Sequence, residues 1–317
     1  MRLPYPYDPS ADCPLWLRFL AEVLEGDTER IRLLQEWSGY LLTPDTSLQR
    51  MLALLGDGGN GKSVALDLLT AMVGPDNVSH VPLENFGDRF QLTSTLGRLA
   101  NIAAEVSSCD KVAEGPLKQF VGGDRMQFDR KYLSPVYARP TARLIVAMNN
   151  LPPFADRSPG LWRRMIVLPF RVTIEPERQD PQLASKLKAE LPGIFNWALS
   201  GLRRLRQQGR FTEPRVCVEA REECRTEMNP ARVFLAEQCE EDPAAEVATV
   251  EVYEAYRSWA DTRGYRPFDN GAFGKEVFRR FAKVTKAKRG GGGDRYSVYA
   301  GLRLLLPQDP VPGVPGV

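Results

Sequence analysis

Residues 56–63 read Gly-Asp-Gly-Gly-Asn-Gly-Lys-Ser, the pattern G-x-x-x-x-G-K-[ST]. Gly56, Gly58, Gly59 and Gly61, with Asn60 among them, let backbone N–H groups close around a phosphate. A helix starting at this point adds the partial positive charge of its N-terminus. Lys62 can reach the β- and γ-phosphates of a nucleoside triphosphate, and the Ser63 hydroxyl can ligate Mg²⁺. ATP and Mg²⁺ are therefore the expected ligands. The same glycines also spell G-x-G-x-x-G, with Asp76 where a dinucleotide fold would want an acid. Asp76 lies in a Gly-Pro-Asp-Asn turn rather than at a strand end, and that fold does not require Lys-Ser. A glycine-rich turn without a ligand leaves the composition of the string unexplained.

Further groups with chemical potential follow in order. An apolar run ends in the carboxylate of Glu105, which can hold a hydrated Mg²⁺ or polarise a water. The run 141–148 delivers the Asn149 amide to its tip, where it can orient water near a γ-phosphate; the bland alternative is an Asn-Asn-Leu-Pro turn. Arg163 and Arg164 precede another apolar run and can act in trans on a neighbour's γ-phosphate, or can form ordinary surface ion pairs. Between these, Lys118 leads to 126–137, where basic and aromatic residues, Arg130, Lys131 and Tyr132 among them, interleave on a stretch whose alternation suggests a β-hairpin. Lys and Arg neutralise phosphates and Tyr stacks on bases.

Positioning these groups calls for particular elements. Residues 14–24 and 28–42 carry helical apolar stripes, with Asp12 the expected cap of the first. From position 50 short apolar runs at 51–55, 99–106, 142–148 and 165–170 alternate with helical stretches, which implies an α/β core. Helices are expected again at 180–191, 194–208, 215–228 and 230–239, then a linker at 242–245. Two more helices, 250–263 and 271–281, and two β-like runs around Gly290–Gly293 suggest a winged-helix module. Lys286, Lys288 and Arg289 are its candidate DNA contacts. The Pro- and Gly-rich 307–317 is expected to be disordered.

The bulk numbers set limits. The chain has 317 residues, 43% hydrophobic and 26% charged, with a net charge of +2, so overall charge does not announce a nucleic-acid binder. Its distribution is uneven: acids outnumber bases over 219–254, whereas 275–303 is strongly basic. Cys13, Cys109, Cys217, Cys224 and Cys239 contain no C-x-x-C pair, and His80 is the lone histidine. Scattered reduced thiols are expected rather than zinc. No signal peptide is visible at 1–10 and no run approaches a membrane span, so a cytoplasmic protein is expected.

Taken together, this order of parts resembles the superfamily-3 helicases, specifically the helicase domain at the C-terminal end of phage and plasmid primases, related to poxvirus-type primase-helicases. Residues 56–63 match Walker A, Glu105 Walker B, and 118–132 the B′ motif with its DNA hairpin. Asn149 with Pro152 matches motif C. Trp162-Arg163-Arg164 with Pro169-Phe170 matches the arginine-finger segment. Flanking similarity lies at 37–43 and 191–202. The resemblance implies a P-loop NTPase with an AAA+-like core at 49–172, an N-terminal helical segment at 1–48 and a helical extension at 173–241. A winged-helix domain at 246–306 and a tail at 307–317 follow. It further implies a hexameric ring with ATP at subunit interfaces, moving 3′ to 5′ on single-stranded DNA in the bacterial host of a phage or mobile element. In that scheme Glu105 primes water, Asn149 senses the γ-phosphate, and Arg164 ahead of Arg163 is the finger. Primase in cis or in trans and duplex origin DNA are the further partners. The sequence departs from the pattern in two respects. Ala104 precedes a single Glu105 where many members pair two acids. The fused N-terminal primase domain is also not among these residues: if Met1 is the natural start, primer synthesis is expected from another protein, and if the chain is a fragment, that domain was trimmed. The rival readings are an ATP-regulated replication initiator without unwinding activity and a monomeric P-loop kinase.

Overall fold

The computed structural model describes residues 3–104, 112–149, 159–227, 229–265, 267–291 and 295–305. Two compact units divide at Cys224/Arg225. The first opens with two helices. In α1 (Pro14–Val23), Pro14 sits in the first turn, and Trp16, Phe19, Leu20 and Val23 form the buried stripe. Its cap differs from the one expected at Asp12: the N-cap is Cys13, without a side-chain cap hydrogen bond. The Glu190 carboxylate accepts instead from Leu15 N (3.0 Å) and Trp16 N (2.9 Å). A distant acid satisfies the orphan donors that a local one leaves open. In α2 (Thr28–Leu41), Asp27 is the cap, accepting from Glu29 N and Arg30 N at 2.9 and 3.1 Å.

The central sheet holds β1 (Met51–Leu55), β2 (Val78–Ser79), β3 (Ala100–Ala104), β6 (Arg143–Met148) and β7 (Met165–Pro169) in the order β2-β3-β6-β1-β7. Every pairing is parallel. β6 and β7 are buried along their whole length, as the apolar runs of a covered parallel sheet require. α3 (Lys62–Val73) leaves β1, and a short α4 (Arg89–Leu92) follows the edge strand β2, which the sequence reading did not anticipate. Asn101, fully buried on β3, fastens this edge by exchanging hydrogen bonds with Val81 N (2.8 Å) and Val81 O (2.9 Å). α5 (Glu114–Gly122) leads to the hairpin β4 (Met126–Arg130) and β5 (Leu133–Ala138), which pairs antiparallel as its alternation predicts. α6 (Pro159–Trp162) precedes β7.

The helices α7 (Leu183–Ala189) and α8 (Leu191–Gln208) follow the sheet, and α8 packs on α2. The two cross at Gly39 and Gly201: a Cβ at either would collide with the backbone of the other helix. Beside this crossing, fully buried Glu36 accepts from Arg204 Nε (2.7 Å), Thr212 N and Thr212 Oγ1 (both 2.8 Å). The buried carboxylate is thus paired and hydrogen-bonded. α9 (Arg215–Glu227) spans the division between units.

The second unit runs α10 (Pro230–Gln238), β8 (Cys239–Ala248), α11 (Thr249–Thr262), α12 (Asn270–Arg280), β9 (Thr285–Arg289) and β10 (Tyr296–Leu304). Its antiparallel sheet has the order β8-β10-β9. Phe234, Tyr256, Phe273 and Val277 form the core, with Tyr256 stacked on Phe273 at 4.5 Å. The stretch 242–245, expected to be a linker, lies within β8, where the register shifts between Glu241↔Leu302 and Glu246↔Ala300. Asp-Pro-Ala-Ala reads as a linker, but here it is the irregular part of a strand. The unit therefore includes α10 and β8, ahead of the boundary at 246. No described helix is long and apolar enough to cross a membrane. Cys13, Cys217, Cys224 and Cys239 are buried, and among the described residues they form no disulfide.

Candidate functional site

The C-terminal edge of the parallel sheet gathers the groups that the sequence singled out. Register pairs Leu55 with Met148 and with Pro169, so Gly56, Asn149 and Phe170 leave three adjacent strands at one level. Ligands of open α/β sheets lie outside this edge. β3 ends at Ala104 on the same edge, and Glu105, like Pro152, lies outside the described residues.

The 56–61 loop is held in shape by its own atoms. Gly56 N donates to Met148 O (3.2 Å), and a Cβ on Gly56 would collide with Phe170 O and Asn60 Nδ2. Gly58, Gly59 and Gly61 have φ of 104°, 59° and 85°, a left-handed run that favours glycine. Ile174 N donates to Gly59 O at 2.8 Å, fastening the loop to the segment after β7. At its end Gly61 is the N-cap of α3, and a Cβ there would lie 2.8 Å from Val23 Cγ1 and 3.0 Å from the Phe19 ring. α1 therefore backs the turn directly. The first-turn N–H groups of α3 are turned toward the loop, as in anion-binding helix N-termini.

Lys62 is 6% exposed. Its Nζ donates to Gly56 O (2.5 Å) and to Asn60 Oδ1 (3.0 Å), while Asn60 Nδ2 donates to Phe170 O (3.3 Å). The ammonium is therefore folded back across the loop by a neighbouring amide. Burial pushes its pKa below the ordinary lysine range, and the nearby Asp57 carboxylate partly offsets this. Ser63 and Asn149 are exposed at the same edge. A loop of left-handed glycines around a buried ammonium, opening onto a helix N-terminus, fits a polyphosphate, and the exposed Ser63 hydroxyl fits its Mg²⁺.

Arg163 and Arg164 lie elsewhere. Met51 pairs with Met165, and Met51 N donates to Arg164 O (2.8 Å), so both arginines enter β7 at the opposite, N-terminal edge. Five strand residues separate the two edges, about 17 Å at the usual rise. Neither guanidinium reaches the loop of its own chain. Arg163 is exposed, whereas half-buried Arg164 donates from Nη1 to Gly160 O at 2.7 Å. The solvent-facing arginine is thus Arg163, not the one the sequence put first.

The remaining candidates are distributed over both units. Lys131 and Tyr132 form the exposed hairpin turn; Tyr132 has a φ of 61° and is fully exposed. Arg130 is occupied locally, donating to Ser134 O at 2.9 and 3.1 Å. Lys118 on α5 lies 3.7 Å from Glu114. In the second unit Lys286 and Lys288 are exposed on β9, while Arg289 Nε donates to Glu246 Oε2 at 2.9 Å. Sequence reasoning missed the arginine ahead of β1: Arg50 Nη1 donates to Arg163 O, and its Nη2 pairs with Glu213 at 3.0 Å. No motif marks a side chain that works through backbone carbonyls.

Comparison with known proteins adds the following. Residues 54–164 match a family described only as a family of unknown function, DUF5906. Over 170 residues the chain is 28% identical to the "Putative helicase" of Acanthamoeba polyphaga mimivirus, spanning 51% of this chain and 17% of that protein. The chain thus covers under a fifth of that relative. Among solved structures, the apo A form of the NrS-1 C-terminal region matches with a TM-score of 0.60 at 12% identity, covering 95% of this chain and 79% of that one. A second apo structure of the same region gives 0.56 with the same identity and coverage. The chain is a mixed α/β protein with a parallel sheet, and its fold is similar to that of the NrS-1 C-terminal region.

Proposed function

We propose that this chain is an ATP-driven DNA helicase subunit of the superfamily-3 type, working as a ring with its active sites shared between neighbours. One observation carries the reading: the glycine loop with Lys62 and the exposed Arg163 lie at opposite edges of one sheet, about 17 Å apart. A head-to-tail ring brings the arginine edge of one subunit to the loop edge of the next. The likeness to a viral protein named as a helicase supports the same reading.

In this scheme, the N–H groups of 58–63 and Lys62 hold the triphosphate, and Lys62 exchanges its bonds to Gly56 O and Asn60 for phosphate oxygens. Mg²⁺ on the Ser63 hydroxyl supplies charge neutralisation between phosphates. Asn149 orients the attacking water and Glu105 polarises it. Arg163 of the neighbouring subunit stabilises the charge that develops on the transferred phosphoryl group, and is put ahead of Arg164 because Arg164 is engaged at Gly160. Lys131 and Tyr132 at the hairpin tip engage the phosphates and bases of single-stranded DNA. Phage or mobile-element replication is the proposed setting.

The order α10-β8-α11-α12-β9-β10, with exposed Lys286 and Lys288, supports a winged-helix reading of the second unit and contact with duplex DNA. That unit alone would equally serve an ATP-regulated initiator. ATP turnover per subunit, measured against protein concentration with and without single-stranded DNA, tests the proposal. The helicase reading expects a steep rise with concentration and stimulation by DNA. Turnover that is flat and indifferent to DNA overturns it in favour of a monomeric enzyme; binding of ATP and duplex without strand separation favours the initiator.

A further inference from the structure

Arg50 connects three things that the proposed reaction needs in fixed relation. It immediately precedes β1, the strand that ends in the glycine loop. Its Nη1 donates to the carbonyl of Arg163, and its Nη2 pairs with Glu213 at 3.0 Å. The next peptide repeats the tie, Met51 N donating to Arg164 O at 2.8 Å. The backbone on which Arg163 stands is thus gripped from β1 by one ladder bond and one guanidinium. Glu213 holds that guanidinium from the other side. Arg50 and Glu213 side chains keep 27% and 42% of their exposure, so the pair is accessible yet partly screened from water.

Resting on the reading that Arg163 serves a neighbour's active site, we infer that Arg50 is the positioning residue for that arginine. Arg50 does not touch the nucleotide. It fixes the carbonyl of Arg163, so the exposed guanidinium starts from a set backbone rather than a wandering one. A guanidinium is suited to this because it donates in two directions at once, which an ammonium on a flexible stem does less well. The arrangement also fastens both ends of one chain's chemistry to the same strand. β1 begins at the arginine offered to the next subunit and ends at the loop that holds its own triphosphate. A shift of the loop when phosphate leaves would pass along a five-residue strand to the Arg163 carbonyl.

The test compares homogeneous and mixed oligomers of the full chain. Arg50→Met alone should lower kcat for ATP about ten- to a hundredfold, with KM changing less than about threefold, since misplacing a reacting group by an ångström costs this much. Mixing it with Lys62→Ala chains, which are inactive themselves but present an intact arginine edge, should restore turnover per Arg50→Met chain several-fold. Arg163→Ala, mixed in the same way, is the control. The swap Arg50→Glu/Glu213→Arg rebuilds the ion pair without the donor to Arg163, so it should recover melting temperature and not kcat. Four results overturn the inference. Full activity of Arg50→Met is one; full recovery of kcat by the swap is another. The third is rescue of Arg163→Ala without rescue of a folded Arg50→Met. Failure to rescue Arg163→Ala removes the shared-site reading itself, and this inference with it.

Discussion

The two edges of the five-stranded sheet are built from opposite materials. At the C-terminal edge the shape comes from backbone: left-handed glycines, a helix N-terminus and one buried ammonium held by an asparagine amide. At the N-terminal edge it comes from long side chains that grip carbonyl oxygens: Arg50 on Arg163, Arg164 on Gly160, and Arg143 on Leu41 and Thr141. A backbone cradle demands particular residues at fixed spacing, because glycine adopts those dihedrals at far lower cost than other residues. A guanidinium can find a carbonyl from many places, so it leaves no pattern in the sequence. The first edge could be read before folding; at the second the Arg163–Arg164 pair could be read, but the side chains that grip its backbone could not.

Mixed oligomers probe the difference most sharply. Lys62→Ala and Arg163→Ala should each cost on the order of 10³ in turnover when homogeneous. Mixed together they should recover part of it, since some interfaces pair an intact loop with an intact arginine. Lys62→Ala mixed with Asn149→Ala should recover nothing, because both damage the same edge. Recovery in that second mixture would erase the distinction between the edges.

Gly61→Ala tests how tightly the loop edge is fixed. It places a Cβ 2.8 Å from Val23 at a φ of 85°, and the strain should cost about 1–3 kcal/mol, read as a lower midpoint in urea. An unchanged midpoint would show that α1 can move aside. Lys131→Ala should leave ATP turnover intact while lowering strand separation about tenfold, the scale of one lost phosphate contact. In the second unit the expected effects are smaller. Lys288→Ala should reduce the salt dependence of duplex binding by about one unit of slope. Arg289→Ala should change it less, because Arg289 already pairs with Glu246. Equal slopes for the two would remove the second unit from the DNA-contact scheme.

Much of the fold was legible in the sequence for physical reasons that can be named. The strands 51–55, 142–148 and 165–170 were found almost to the residue because covered parallel strands are continuous apolar runs. The hairpin was found because one of its faces is exposed, so its side chains alternate. β2 escaped because two residues carry no period. The stretch 242–245 was misread because Asp, Pro and Ala are poor strand formers, and only the pairing of the residues on either side of it with β10 reveals the strand. In the site, Lys62 and its loop were legible as a motif. The preference between Arg163 and Arg164 was not, since adjacent residues of one type differ only in where the chain turns them.

The cap of α1 bears on how the chain is made. Glu190 closes the helix at Leu15 and Trp16, and the Asn196 amide donates to Asp8 O and Ala11 O. During synthesis the first helix has no partner for these groups until those residues leave the ribosome. At about 5–20 residues per second the interval of 175 positions lasts about ten to thirty-five seconds. Through that time the Leu15 and Trp16 N–H groups, capped by Glu190 in the finished protein, must be satisfied by water. α1 is thus translated well before the residues that close its cap, so its first turn is completed late.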